Sequence, residues 1–471
     1  MPCCPIPALF LGLVASAQSR PSVPAAYSTR TATPPTIDGK LDDAVWQAAR
    51  EAGELTQVEP NVGPPCSERT DIRFLHDSDH LYLAVRCYDG APEHILSTTS
   101  ERDARLEVDD HVELYFDTFH DGRNAFFFQL NAAGSNGDAL IANNGAHFNK
   151  PWDGIWEGRA TIDAQGWSAE FAFPFKTLNF KEGGTTWGFN LLRHLGRQRE
   201  DARWANANRD FSFFSVFHAG ELRGLEGMEQ GIGLDIVPFF VAHERNDRVA
   251  GDKDLIGKPG LDLFYKLTPS LTFSLTLNTD FAETDVDERQ INLTRFPLFF
   301  PERRDFFLQD AGLFQFGDGA VIPFFSRRIG LDASRQEVPI LVGAKLTGRA
   351  GAYGIGVLDV RTDDTSTLDG QNLFATRVTK DVGEESKIGM IVTNGYPTGA
   401  GDNTVYGLDA TWRTSRFRGD KTLVTNVFAL ESDGEGVSVQ DSAFGFSTFA
   451  PSDLWSWRVG ALEIQDRKSV V

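Results

Sequence analysis

The sequence is short of positive charge, of long apolar runs and of cysteine, and each shortage removes a class of protein. Lys plus Arg number 45 against 66 Asp plus Glu, a net charge of −21. A general nucleic-acid binder needs clustered basic residues for phosphate contacts, and this balance excludes one. No stretch reaches the roughly 18 apolar residues of a membrane-spanning helix, so any membrane insertion must use a β-barrel. Neither HExxH, GxSxG nor a P-loop pattern occurs, which leaves metalloprotease, esterase and nucleotide chemistry without support. What is present favours strands: 41% hydrophobic residues, 24% charged residues, and 45 Gly, 22 Pro and 37 Phe spread over 471 residues. A mainly disordered chain and a helix-rich architecture are both excluded.

Residues 6–17 form a short apolar run ending in Ala15-Ser16-Ala17, the small-x-small pattern of a signal-peptidase site. Export through a signal peptide over residues 1–18 is the expectation. Cys3 and Cys4 would leave with it, so the mature chain keeps Cys66 and Cys87. If residues 71–76 and 81–87 pair as a hairpin through Asp77-Ser78-Asp79, Cys87 falls opposite about Thr70, and Cys66 lies too far along for a disulfide unless the chain bends back. Cys87 then reads as a small buried hydrophobe.

From residue 36 to about 225 short strands alternate with turn signals. Leu81, Leu83, Val85 and Cys87 oppose Tyr82, Ala84 and Arg86; Val112, Leu114 and Phe116 oppose His111, Glu113 and Asp117. Trp156, Gly158, Ala160 and Ile162 share a face, as do Trp167, Ala169, Phe171 and Phe173 after a turn at 163–166. Such spacing predicts an antiparallel sandwich. One helical turn is expected over residues 41–46, capped by Asp42 or Asp43, with Trp46 plugging the end of the sandwich.

Beyond Gly231 the strands lengthen. Leu271, Phe273, Leu275 and Leu277 alternate with Thr272, Ser274, Thr276 and Asn278; Tyr406, Leu408, Ala410 and Trp412 alternate with Gly407, Asp409, Thr411 and Arg413; Trp455, Trp457, Val459 and Ala461 alternate with Ser456, Arg458 and Gly460. One face is greasy and the other small and polar, as in an outer-membrane barrel. About ten to twelve strands fit before residue 465 at roughly twenty residues per strand and turn. The block 278–317 breaks the pattern: Phe296, Phe299, Phe300, Phe306, Phe307, Phe314 and Phe316 are interleaved with Arg295, Arg303, Arg304 and acids. It is expected to fold inward, packing rings and ion pairs inside the barrel or at its mouth.

The segment TIDGKLDDAVW, the hairpin DIRFLHDSDHLYLAVRCYD, the strand DDHVELYFD and the segment WEGRATIDAQGWSAEFAFPFKTL together resemble a carbohydrate-binding module of family 9 type, over residues 30–227. The block NLTRFPLFFPERRDFFLQDAGLFQFG, with FFSRRIGL and PILVGAKLTGRAG, resembles a barrel-forming bacterial domain of unknown function, over residues 231–465. With the export signal and the alternating strands, the expectation is an all-β protein of sandwich plus barrel at the outer membrane, with polysaccharide or oligosaccharide and outer-membrane lipid as partners. Residues 466–471 resemble adapter read-through, which makes the barrel incomplete and leaves it open edges.

A sugar site needs an exposed aromatic ring with planar polar side chains around it. Trp152, flanked by Pro151 and Gly154, is the expected platform, with Arg102, Asn131, His147 and Asn149 in polar connections at the same end. No cofactor is called for; the acidic segment 101–117 is where a structural Ca²⁺ would find oxygens, though its spacing fits no EF-hand. No catalytic residue is assigned. Glycoside hydrolysis would need two carboxylates across one bond, for which Glu113 and Glu170 are undistinguished candidates. The rivals to carbohydrate capture or passage are therefore a secreted glycoside hydrolase and a structural envelope protein without sugar binding.

Overall fold

In a computed structural model of the chain the described residues are 23–247, 252–279, 302–332, 336–365, 368–396, 403–434 and 441–465. The signal-peptide segment, the first part of the phenylalanine block with Arg295, Phe296, Phe299 and Phe300, and the tail 466–471 lie outside them. The architecture is all-β: a thirteen-stranded sheet folded into a sandwich, then an eleven-stranded antiparallel meander.

The sandwich begins with β1 (Ala25–Arg30), β2 (Thr56–Glu59), β3 (Thr70–His76), β4 (His80–Tyr88), β5 (His111–Asp117) and β6 (Ala125–Asn131). It continues with β7 (Asn136–Ala142), β8 (His147–Asn149), β9 (Glu157–Asp163), β10 (Gly166–Pro174), β11 (Thr186–Leu195), β12 (Glu200–Arg203) and β13 (Gly220–Arg223). One layer runs β8-β7-β6-β5-β11-β13 and the other β3-β4-β10-β9. β1 joins them by changing partner mid-strand: Ala25 to Tyr27 pair with β13, and Ser28 to Arg30 pair with β3. The hairpin register puts Thr70 opposite Cys87, as the turn at Asp77 requires, and both Cys66 and Cys87 are free thiols. Burial pushes the Cys87 thiol up to about 11.

Alternation dictates the core. Val112, Leu114 and Phe116 from β5 meet Trp167, Ala169, Phe171 and Phe173 from β10, all fully buried. Phe116 is the hub, with ring centroids of Phe173, Phe189 and Trp187 at 5.2, 5.6 and 6.0 Å. The helical turn starts three residues later than expected, as a 3-10 turn Ala44–Ala48, and Asp43 does not cap it; its carboxylate accepts the Thr36 N–H at 2.7 Å instead. Trp46 does not plug the sandwich end. It packs on the outer face of the second layer against Leu75, Tyr82, Ala84 and Ala172, because its indole N–H needs an acceptor when buried and finds Glu170 there at 2.8 Å.

The second sheet comprises β14 (Leu234–Asp247), β15 (Asp252–Thr268), β16 (Leu271–Leu277), β17 (Ile340–Ala350), β18 (Tyr353–Thr362) and β19 (Asn372–Val382). β20 (Ser386–Asn394), β21 (Asn403–Phe417), β22 (Lys421–Gly434), β23 (Asp441–Ala450) and β24 (Trp457–Gln465) complete it. Each strand pairs with its successor, and among the described residues β14 and β24 do not pair with each other, so the sheet is open. Every residue of β24 is exposed. Sidedness is that expected of the alternation: Thr272, Ser274 and Thr276 are buried, while Tyr406, Leu408 and Trp412 are 54%, 65% and 50% exposed.

The buried face is covered by residues 302–332, the described part of the phenylalanine block and its continuation, which turns inward as predicted. Phe306, Phe307 and Phe314 cluster with Ile340, Leu358, Val360 and Leu373. Phe316 lies over Gly407, where a Cβ would stand 2.7 Å from the ring; this close approach gives one reason for glycine on the inner face. Charges in this interior are paired, as burial demands. Arg304 binds Glu302 at 2.9 Å, and Arg377 grips Asp409 through two bonds of 2.5 and 2.8 Å.

Candidate functional site

The edge strand β8 carries two of the expected site residues, His147 and Asn149, to the seam between sandwich and second sheet. The seam is fastened by charged and amide side chains. Arg123 reaches Asp381 at 3.2 Å and donates to the Ser386 carbonyl at 2.9 Å. Asn143 donates to Gln315 Oε1 at 2.8 Å and accepts from Lys387, and Arg349 pairs with Asp381 and with Asp121.

These contacts enclose a cavity of about 340 Å³. Phe126, Phe148 and Leu313 supply apolar wall, and His147, Asn149 and Asn143 supply planar polar groups. The Phe148 ring is 43% exposed and is propped from behind by Phe127 and Phe214, with centroids at 5.1 and 5.0 Å. The buried Asn149 Nδ2 has no hydrogen-bond partner among the described residues. An unmet amide donor at a cavity wall is a place for a ligand or water oxygen. Burial, with the charge of Lys387 as the lesser cause, lowers the His147 pKa to about 4. The imidazole is therefore neutral near pH 7 and presents one donor and one acceptor.

Trp152 does not take the expected role of exposed platform. Its ring is buried, with centroids 5.3 Å from Phe126 and 6.4 Å from Phe128. Gly154 permits this, because a Cβ there would stand 2.6 Å from the indole. A large apolar ring beside an accessible aromatic cluster gains more from packing than from water. Trp152 thus supports the cavity wall from behind Phe126.

Arg102 and Asn131 are drawn into internal work away from the cavity. Arg102 bridges Asp138 at 2.9 Å and Asp153 at 2.7 Å. Asp138 also accepts the Trp156 indole at 2.6 Å, and burial raises its pKa to about 6. Asn131 is fully buried and saturated: it donates to Thr99 O and Asp109 Oδ2, at 2.8 and 2.7 Å, and accepts from the N–H groups of Ala133 and Ser135. Phe148 is the residue that sequence reasoning missed. The available signal was its position between two polar candidates in a short strand.

The acidic segment 101–117 serves as a set of backbone acceptors. Asp109 accepts Thr98 N–H at 2.9 Å, Asp110 accepts Leu96 N–H at 2.8 Å and Asp117 accepts Gly122 N–H at 2.7 Å. Among the described residues no group of three or more His, Cys, Asp or Glu is arranged to hold a metal ion. Glu113 and Glu170 lie on outer faces of opposite layers, since their core-facing neighbours are Val112, Leu114, Ala169 and Phe171. They cannot flank one glycosidic bond. Glu170 is further committed to Trp46 and to the N–H groups of Asp38 and Gly39.

A wider groove of about 520 Å³ crosses the outer face of β3, β4, β9 and β10 past Tyr88. Several of its charges are held in ion pairs: Arg86 binds Asp163 at 2.6 Å within the groove, and Asp71 is bound at 2.7 Å by Arg69 from outside it. The seam cavity keeps polar groups that are not spent in this way.

Residues 37–213 match the family model described as carbohydrate family 9 binding domain-like, and residues 231–368 match a domain of unknown function, DUF5916. Both agree with the resemblances carried by the motifs. Among solved structures, a family 9 carbohydrate-binding module from Caldicellulosiruptor kristjanssonii in complex with cellotriose is 14% identical, covering 42% of this chain and 92% of its own, with a TM-score of 0.32. The same module in complex with glucose is 14% identical and covers 44% of this chain and 98% of its own, again at 0.32. No curated protein matches the chain.

Proposed function

We propose that this protein captures carbohydrate at the cavity between its two sheets and is held in an outer membrane by the second. The observation that supports capture is the pairing of a family 9 type sandwich with a cavity whose walls carry a propped Phe148 ring, neutral His147 and the unmet donor of Asn149. An aromatic face takes the C–H side of a pyranose, and planar amide and imidazole groups take its hydroxyls. The membrane assignment rests on a separate observation. Leu408, Phe444, Val459 and Ile464 are between 50% and 65% exposed on the second sheet, while its buried face carries threonine, serine and ion pairs. That arrangement is suited to lipid outside and polar filling inside.

Glycan-array screening of the full-length chain, followed by calorimetry with glucose and cellotriose, tests capture. Saturable binding is expected, weakened on the order of tenfold in His147→Ala and in Asn149→Ala, each of which removes one or two hydrogen bonds. Binding that survives both substitutions unchanged would move the site elsewhere. Fractionation tests the membrane assignment: full-length protein should resist alkaline extraction from outer membranes, and recovery wholly in the soluble fraction would refute it.

A further inference from the structure

A wall of the seam cavity is shared with a second cavity. This second cavity, of about 290 Å³, lies within the curve of the second sheet and shares His147, Ala311 and Gln315 with the first. Its character is different. Phe307, Phe314, Phe316, Pro323, Phe324 and Leu358 form most of the wall. Of its polar groups, the Lys345 ammonium is already held by the carbonyls of Phe306 and Gln309, and Gln315 Oε1 accepts from Asn143.

A sugar ring placed there would bury hydroxyls without partners, which opposes binding. An apolar group would gain from the same walls. Size also fits, since an engineered apolar cavity of about 150 Å³ accepts benzene. The neutral imidazole of His147 stands in the wall common to both cavities, beside Ala311 and Gln315, and makes no hydrogen bond to another described residue.

We propose that the two cavities together take an amphipathic glycoside: the sugar sits in the seam cavity, and an apolar aglycone inserts past His147 among the phenylalanines. This rests on the carbohydrate reading of the seam cavity and names the class of ligand for it. The chemistry that selects such a ligand is the change from polar to apolar wall across one side chain.

The test is calorimetry on the full-length chain with glucose and phenyl β-glucoside as a matched pair. The phenyl group should tighten binding on the order of tenfold to a hundredfold, as full burial of one aromatic ring does. Leu358→Trp, which fills only the second cavity, should abolish that gain and leave glucose binding as it was. Ile322→Trp does the same from a position that is 53% exposed and tolerates bulk if Leu358→Trp fails to fold. Equal affinity for the two probes, or a gain that persists in both filled variants, overturns the proposal while leaving carbohydrate capture standing. Binding of neither probe nor any glycan by the wild-type chain would remove the carbohydrate reading and this inference with it.

Discussion

The two sheets of this protein are inside-out versions of each other. In the sandwich the apolar rows turn inward, as with Val112, Leu114 and Phe116, and the alternate rows, which carry polar groups such as Glu113 and Asp117, face away from that core, many of them covered by further segments. In the second sheet Thr272, Ser274, Thr276, Arg377 and Asp409 are buried while Leu408, Trp412 and Phe444 are exposed. Both are strands of period two, so the alternation alone says nothing about which face is inside. What decides is the medium on each side and what fills the interior: phenylalanine against phenylalanine in one, an inward-folded segment with paired charges in the other.

The largest effects should come from the two interiors, where they separate packing from polar pairing. Phe116→Ala removes the hub of the sandwich core and should cost about 3–5 kcal/mol in denaturant melts; a loss below 1 kcal/mol would contradict a close-packed aromatic core. Arg377→Met strands the buried Asp409 carboxylate and should cost about 3–5 kcal/mol. Adding Asp409→Leu should recover much of that loss, because a pair of matched apolar side chains leaves no uncompensated charge. A double variant no better than the single one would mean that the pair is not the unit that matters.

Next comes the outer face. Leu408→Lys should oppose membrane insertion by up to about 2–4 kcal/mol at mid-bilayer depth, read as loss of heat-modifiable migration. In the sandwich Ile162→Lys, near the end of the edge strand β9 and 43% exposed, should fall within about 0.5 kcal/mol of wild type. Equal effects at the two positions would abolish the contrast between the sheets.

The last effect is a pH dependence at the seam. The unfolded chain protonates His147 near pH 6.5 and the folded chain only near 4, so the contribution of His147 to stability falls as pH drops through that window, while Asp138, raised to about 6 by burial, contributes with the opposite sign. His218, also lowered to about 4 by burial, contributes with the same sign as His147. His147→Asn should flatten the slope without removing it, as thermal melts from pH 7 to pH 4 would reveal. An unchanged slope would mean that His147 titrates alike in both states.

The site was less legible than the fold for a physical reason. Strand pairs repeat one rule, so the Thr70 to Cys87 register, and which residues share a face, followed from local pattern and turn chemistry. A binding cavity depends on which polar groups are left over after folding has used the rest. Arg102 and Asn131 had the right chemistry, but Asp138, Asp153 and Asp109 claimed them. Trp152 had the right shape and was taken by Phe126 and Phe128.

The sequence by itself therefore determined an all-β chain in two parts, which residues of each strand share a face, the inward course of the described part of the phenylalanine block and the want of an apolar run long enough for a membrane-spanning helix. Those properties follow from hydrophobic period and turn residues within a few positions of each other. Only the tertiary structure decided that His147, Phe148 and Asn149 share a cavity with Asn143 and Gln315, that Trp46 covers an outer face, and that Glu113 and Glu170 stand on opposite sides of the sandwich. Those outcomes turn on contacts between distant segments, where each polar group binds whichever partner the packing brings nearest.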